Sequence, residues 1–125
     1  MMKNVLLVAL GGGVGSVIRY LCQKWINEVY VHSFPLATFL VNVSGCFLIG
    51  AIFAAAEKLT LLTPSLRLLL ITGFCGGFTT FSTFAFENVN LLRTGDFPIF
   101  LFYTAGSLVL GVIAVWAGFT LIKLL

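Results

Sequence analysis

The residues best suited to chemistry lie in one string, Ile71-Thr72-Gly73-Phe74-Cys75-Gly76-Gly77-Phe78-Thr79-Thr80-Phe81-Ser82-Thr83-Phe84. Gly76-Gly77 followed by two β-branched threonines is poor helix material, because glycine costs about 1 kcal/mol relative to alanine in a helix interior. A helix break is expected there. In so apolar a stretch an interrupted backbone leaves N–H and C=O groups that only protein, ion or water can satisfy. Freed carbonyls suit a cation, whereas hydroxyls, amide N–H groups and a helix N-terminus suit an anion. Beyond the break, Thr80, Thr83, Glu87 and Asn90 share one helical face, and Phe81 with Phe84 an adjacent one. A phenyl ring is positive at its edge, so a ring turned edge-on to a narrow path can meet an anion without gripping it as a fixed cation would. Taken alone, the same pair also suits plain packing.

Other polar groups recur at helical spacing. Thr38, Asn42 and Gly45 fall at i, i+4 and i+7, which puts an amide on one face of an apolar run. Tyr103, Ser107, Gly111, Ala114 and Gly118 form a stripe of one phenol, one hydroxyl and small residues suited to close helix approach. Arg19 sits inside an apolar run and should snorkel or pair with a carboxylate or anion. Gly11-Gly12-Gly13-Val14-Gly15-Ser16 lacks both the lysine of a phosphate-binding loop and a preceding strand, so Gly11 and Gly15 are read as a helix contact. Cys22, Cys46 and Cys75 are too scattered for a metal site or a disulfide framework and serve as small apolar fillers. His32 falls in a loop with no partner of its own. No Ser/His/Asp set, metal cluster or pair of carboxylates occurs in the apolar runs, which argues against an enzyme.

These groups must be positioned by membrane helices. The chain has 125 residues, of which 60% are hydrophobic and 9% charged, with a mean hydropathy of +1.13, excluding disorder, coiled coil and an ordinary soluble domain. A span takes about 20 apolar residues. Punctuation by Pro, Gly and charge gives four, at about 4–26, 34–56, 65–92 and 97–122, in a single transmembrane domain covering 1–125. Ser33 is expected to cap the second with Pro35 in its first turn, and Thr63-Pro64 opens the third in the same way. Lys3 ahead of an apolar run imitates a signal peptide, but no small-residue cleavage site follows, and the run is read as a retained first span. The expected architecture is all-α, four antiparallel helices with the third broken, joined by loops too short to form an outer domain.

The formal net charge of +3 comes from isolated cations, with no basic block, so nucleic acid is not an expected partner. Lys3, Lys58, Arg67 and Lys123 lie on the side of the termini and Arg19, Lys24 and Arg93 nearer the other, four against three. So even a division would let the chain insert both ways and pair with an inverted copy of itself, although one or two charges can also fix a single orientation. So few helices enclose little, and a homo-oligomer is the natural remedy.

Gly11-Gly12-x-x-Gly15-x-x-x-Arg19-Tyr20, Thr38-x-x-x-Asn42-Val43-x-Gly45-x-Phe47-x-x-Gly50 and the string Gly73 to Phe84 resemble the Fluc fluoride channels, also called the CrcB family. The resemblance spans all four runs and rests mainly on the third. It implies a passive, fluoride-selective channel of the bacterial cytoplasmic (inner) membrane that exports fluoride and gives fluoride resistance. Neutral HF crosses lipid, ionises at the higher cytoplasmic pH and is trapped until a channel releases it. The family's assembly is an antiparallel, dual-topology homodimer with two pores. By the same resemblance Phe81 and Phe84 line the pores with ring edges, Asn42 donates to the ion, Tyr103 and Ser107 form a polar track, and Thr38, Ser82, Thr83 and Glu87 lie on or near the path. Arg19 falls near the vestibule, and the carbonyls of Gly76 and Thr79 hold a structural Na⁺ at the dimer centre. A small dual-topology, proton-coupled cation or drug exporter is the competing class. Such a transporter needs a membrane carboxylate, for which Glu87 is the only candidate.

Overall fold

A computed structural model describes residues 1–60 and 62–125, and every regular element among them is helical. In chain order these are α1 (Met2–Val29), α2 (Leu36–Lys58), α3 (Pro64–Arg67), a π-helical segment (Leu68–Cys75), α4 (Gly76–Phe78), α5 (Phe81–Thr94) and α6 (Phe97–Leu124). α1, α2, the composite stretch Pro64–Thr94 and α6 are each long and apolar enough to cross a membrane. Large apolar side chains point outward from all four, among them Val17, Trp25, Leu40, Phe86, Phe102 and Trp116. So much exposed hydrocarbon is stable only in lipid. The chain is a multi-pass membrane protein.

The helix starts follow two different chemistries. Thr63 caps α3 as expected, its Oγ1 accepting from the Leu66 N–H at 3.2 Å with Pro64 next in line. Ser33, by contrast, does not cap α2. Pro35 holds the cap position at φ −75°, ψ 67°, and the Leu36 N–H donates to the Phe34 carbonyl at 2.8 Å. Those values define an inverse γ-turn, which redirects the chain into the helix without a side-chain cap. At the other end of the third stretch, Gly95 at φ 79° closes α5, with the Asp96 N–H donating to the Leu91 carbonyl at 2.9 Å. A left-handed residue here favours glycine.

Glycines set which helices pair. A Cβ on Gly11 would meet the Leu69 carbonyl, one on Gly15 the Phe74 carbonyl, and one on Gly77 the Gly12 carbonyl. Gly11-x-x-x-Gly15 of α1 therefore lies backbone to backbone against Gly73-x-x-x-Gly77 of the third stretch. A second seam places Gly50 against the Val115 carbonyl and Gly118 against the Phe47 carbonyl, joining α2 to α6. In the first seam the contacts advance in the same direction along the two helices, and in the second Phe39 faces Gly106, Cys46 faces Gly111 and Gly50 faces Val115, again in the same direction. The tight pairs are thus first with third and second with fourth, each parallel, while consecutive helices run antiparallel.

The interruption in the third stretch falls two residues later than the glycine pair. Gly76 is helical at φ −63°, ψ −36°, and Gly77 belongs to α4, where its missing side chain admits α1. Thr79 (φ −82°, ψ 156°) and Thr80 (φ −146°, ψ 119°) are the extended residues. Each threonine closes one helix end. The Thr79 hydroxyl donates back to the Cys75 carbonyl at 2.9 Å, and the Thr80 Oγ1 accepts from the Thr83 N–H at 3.3 Å. β-Branched hydroxyl residues are favoured in just these positions, where extended backbone and local side-chain bonds coincide.

Candidate functional site

The extended pair is held from across the bundle. Asn42, in the first third of α2, accepts from the Thr80 N–H at 2.8 Å and donates to the Thr80 carbonyl at 2.9 Å. One amide side chain thus supplies both partners that the lost helix would have given. Its nitrogen carries two hydrogens, and Thr80 takes one of them.

Beside this bridge runs a groove of about 490 Å³, whose walls include Asn42, Gly76, Thr79, Thr80, Phe81, Phe84 and Ser107. Most of its lining is hydrocarbon. Phe81 and Phe84 stand one helical turn apart with ring centres 5.8 Å from each other and planes at 43°. Phe84 is half-buried, while Phe81 is 77% exposed. Ser107 contributes a buried hydroxyl for which no partner exists among the described residues. A buried hydroxyl normally finds a partner. This one is left available to the groove.

Phe84 leads to a second, polar cavity. Its ring lies 5.1 Å from that of Tyr103, which is fully buried and also meets the Phe34 ring edge-on at 5.5 Å. The Tyr103 hydroxyl donates to Glu87 Oε2 at 2.8 Å, Thr38 donates to Glu87 Oε1 at 2.5 Å, and Gln23 donates to Thr38 at 3.2 Å. Glu87, Thr38 and Thr83 line a cavity of about 280 Å³ together with Gln23, Asn27 and His32. His32, expected to stand alone, lies in its wall with its ring centre 4.7 Å from that of Tyr30 and the planes tilted by 59°. Tyr103→Phe should cost about 1 kcal/mol through the lost hydrogen bond. Thermal unfolding in detergent checks this, and an unchanged midpoint would show that Tyr103 acts through its ring alone.

The structure therefore gathers the sequence-predicted residues into two neighbouring spaces. Asn42, Phe81, Phe84, Ser107, Gly76 and Thr79 border the first; Thr38, Thr83 and Glu87 border the second; Tyr103 sits between. Ser82 borders neither, being exposed with its hydroxyl 3.4 Å from that of Thr80. Arg19 also stands apart from both. Its Nε–H donates to the Gly77 carbonyl at 3.0 Å, where snorkelling or a carboxylate or anion partner was expected. The seam of α1 against the third stretch brings that carbonyl within reach.

Three contributors were missed by sequence reasoning. Gln23 joins the Glu87 network, and Ser16 donates to the same Gly77 carbonyl at 3.4 Å. The signal was present: Ser16, Arg19, Gln23 and Asn27 recur at i, i+3, i+7 and i+11, a polar stripe along an apolar helix. Asn88 was missed as well. It donates to the Phe84 carbonyl at 3.0 Å and accepts from Thr104 at 2.9 Å, tying α5 to α6 behind the rings.

Known proteins resemble this chain over almost its whole length. A family model described as CrcB-like protein, Camphor Resistance (CrcB), matches residues 6–119. A protein of Chlorobaculum tepidum is 51% identical over 123 residues, covering 98% of this chain and 97% of its own. One from Flavobacterium psychrophilum is 46% identical over 122 residues, 98% of each chain. One from Leptospira interrogans is 44% identical over 121 residues, 97% of this chain and 95% of its own. Each of the three bears the name fluoride-specific ion channel FluC. With four membrane-length helices and a family match spanning nearly all of them, the chain belongs to the CrcB-like family.

Proposed function

We propose that this protein is a passive fluoride channel, not an enzyme, that lets fluoride leave the bacterial cytoplasm across the inner membrane and so confers fluoride resistance. The observation that carries the reading is the unpartnered Ser107 hydroxyl, buried in the wall of a groove shared with Asn42, Phe81 and Phe84. Fluoride is small and strongly hydrated, so a path must replace water with donors. Ser107, the second Asn42 N–H and the phenyl edges are such donors. None is a full cation, so the ion can leave as well as enter. The relatives' shared name supports the choice of fluoride over other anions.

The groove is open on one flank, and Phe81 lies largely outside the single chain. An inverted second copy, permitted by the near-even cation distribution, would close it and give two equivalent pores per homodimer. Adding two lysines beside Lys58 should force one orientation and abolish efflux unless an oppositely biased copy is co-expressed. Full efflux from the forced chain alone would rule out the inverted dimer.

A structural Na⁺ fits the residues present. No hydrogen bond from a described residue ends on the Gly76 or Thr79 carbonyl, and nothing stands within 4 Å of the position a Gly76 Cβ would take. The chain offers these two carbonyls as ligands. A cation held there would satisfy them and raise the potential near the anion path.

The fluoride reading is tested by Phe84→Ile, which keeps bulk and removes the ring. Fluoride efflux from proteoliposomes should fall by at least about tenfold, the weight of roughly 1.4 kcal/mol of lost ion–edge attraction. Efflux at the unmodified rate would exclude ring edges from the path.

A further inference from the structure

We propose that Arg19 is a positioning residue for conduction, acting through its Nε–H as a cap on the Gly77 carbonyl and not through its charge; this rests on the fluoride reading above. Helical bonding ends at the Cys75 carbonyl. The Cys75 carbonyl is served by the N–H of Thr79 at 3.0 Å and by its hydroxyl at 2.9 Å. The next donor in line, the Thr80 N–H, is taken by Asn42. Gly77 would have needed the Phe81 N–H, but the extended Thr79 and Thr80 carry that residue away to head α5. A carbonyl left bare at membrane depth is costly.

α1 provides the replacement. Because the Gly12 backbone rests on Gly77, the side chains one and two turns further along α1 reach over the end of α4. Arg19 Nε donates at 3.0 Å and Ser16 at 3.4 Å to the same oxygen. The interruption is thereby pinned at two points from two helices. Arg19 fixes the last turn before Thr79, and Asn42 fixes Thr80 after it. Phe81, which opens α5, and Phe84, one turn on, take their directions from that two-point clamp. Among the described residues the terminal guanidinium nitrogens make no hydrogen bond, so the contact to the backbone is made by the Nε–H and not by the terminal fork.

Donor and charge can be separated, since glutamine carries its Nε2 the same number of bonds from Cα as arginine carries Nε. R19Q keeps an N–H where the cap needs one and removes the charge; R19L removes both. The tests are fluoride efflux from proteoliposomes and the carbonyl carbon resonance of Gly77. Labelling glycine with carbonyl ¹³C and phenylalanine with ¹⁵N isolates only the pairs Gly73-Phe74, Gly77-Phe78 and Gly118-Phe119. R19Q should keep the Gly77 resonance and retain efflux within about threefold, whereas R19L should shift that resonance and lose at least about tenfold, as expected when a buried carbonyl loses its closer donor. Two results would overturn the assignment: R19L matching the unmodified protein in both measurements, or R19Q keeping the Gly77 resonance while losing efflux as fully as a charge role demands. If R19L does not fold, R19Q alone decides between the second of these and the expected result. Should the unmodified protein pass no fluoride, the fluoride reading fails, while the Gly77 resonance in R19Q and R19L still judges the cap.

Discussion

Asn42→Ala is expected to reduce fluoride efflux by about 100-fold or more. The Asn42 amide is the one side chain that answers both backbone groups of Thr80, at 2.8 and 2.9 Å. Without it an N–H and a C=O stand unpaired at membrane depth. Each such group costs about 1–3 kcal/mol, so the two together cost about 2–6 kcal/mol, a range that includes the roughly 2.7 kcal/mol of a 100-fold change. Thr80 is also the cap of α5, hence the helix carrying Phe81 and Phe84 would start in the wrong place. Asn42→Asp should fail equally, because a carboxylate can still accept from the Thr80 N–H but sets a negative oxygen against the Thr80 carbonyl. The comparison is made by fluoride electrode on proteoliposomes containing monodisperse protein. Undiminished efflux in either variant would mean that the extended pair is held without Asn42.

The second large effect concerns the glycine seams. Gly15→Ala would place a methyl against the Phe74 carbonyl and within 2.9 Å of the Phe78 nitrogen; Gly118→Ala would meet the Phe47 carbonyl and lie 3.0 Å from the Ala51 nitrogen. These neighbours are backbone, which cannot rotate aside, so the helices must separate. Overpacking of this kind costs about 1–3 kcal/mol per site. The two seams share no contact, so the double variant should lose nearly the sum. Gly13 makes the control. Nothing lies within 4 Å of its added methyl, and Gly13→Ala should be neutral or gain up to about 1 kcal/mol from helix propensity. Thermal unfolding in detergent reads all four proteins. A Gly13 variant as unstable as the others would show that the cost is backbone freedom and not contact.

How much of this was legible in the sequence depended on whether a signal was local. Four spans followed from hydropathy and from Pro, Gly and charge punctuation, and Thr63 with Pro64 announced its helix start because capping is a short-range affair. Ser33 misled for the same reason: it has the right type, but the turn is made by Pro35 through backbone geometry that residue type alone does not reveal. Which helices pair tightly was not readable. Gly11-x-x-x-Gly15 marks a close contact without naming its partner, and the partner proved to be Gly73-x-x-x-Gly77, two spans away. That pairing also explains why the glycine pair stays helical. Gly77 is small so that α1 can approach, and the extended backbone passes instead to Thr79 and Thr80, whose hydroxyls close the two helix ends.

The site shows the same division. Asn42, Phe81, Phe84 and Ser107 were found by type and spacing and do border one groove. The bond from Asn42 to Thr80 was not foreseeable, because it joins residues 38 positions apart. Arg19 was recognised as a cation needing a partner, yet the oxygen it meets belongs to a backbone carbonyl, which has no sequence signature. Gln23 was overlooked although it continues the stripe to which Arg19 belongs.

The most direct test of the account is ion efflux from liposomes reconstituted with the purified protein alone, fluoride against chloride, with no proton gradient imposed. Rapid fluoride release with chloride retained, and no cation or proton coupling, is the predicted result. Equal release of both anions, no release of either, or proton-driven cation movement would contradict it.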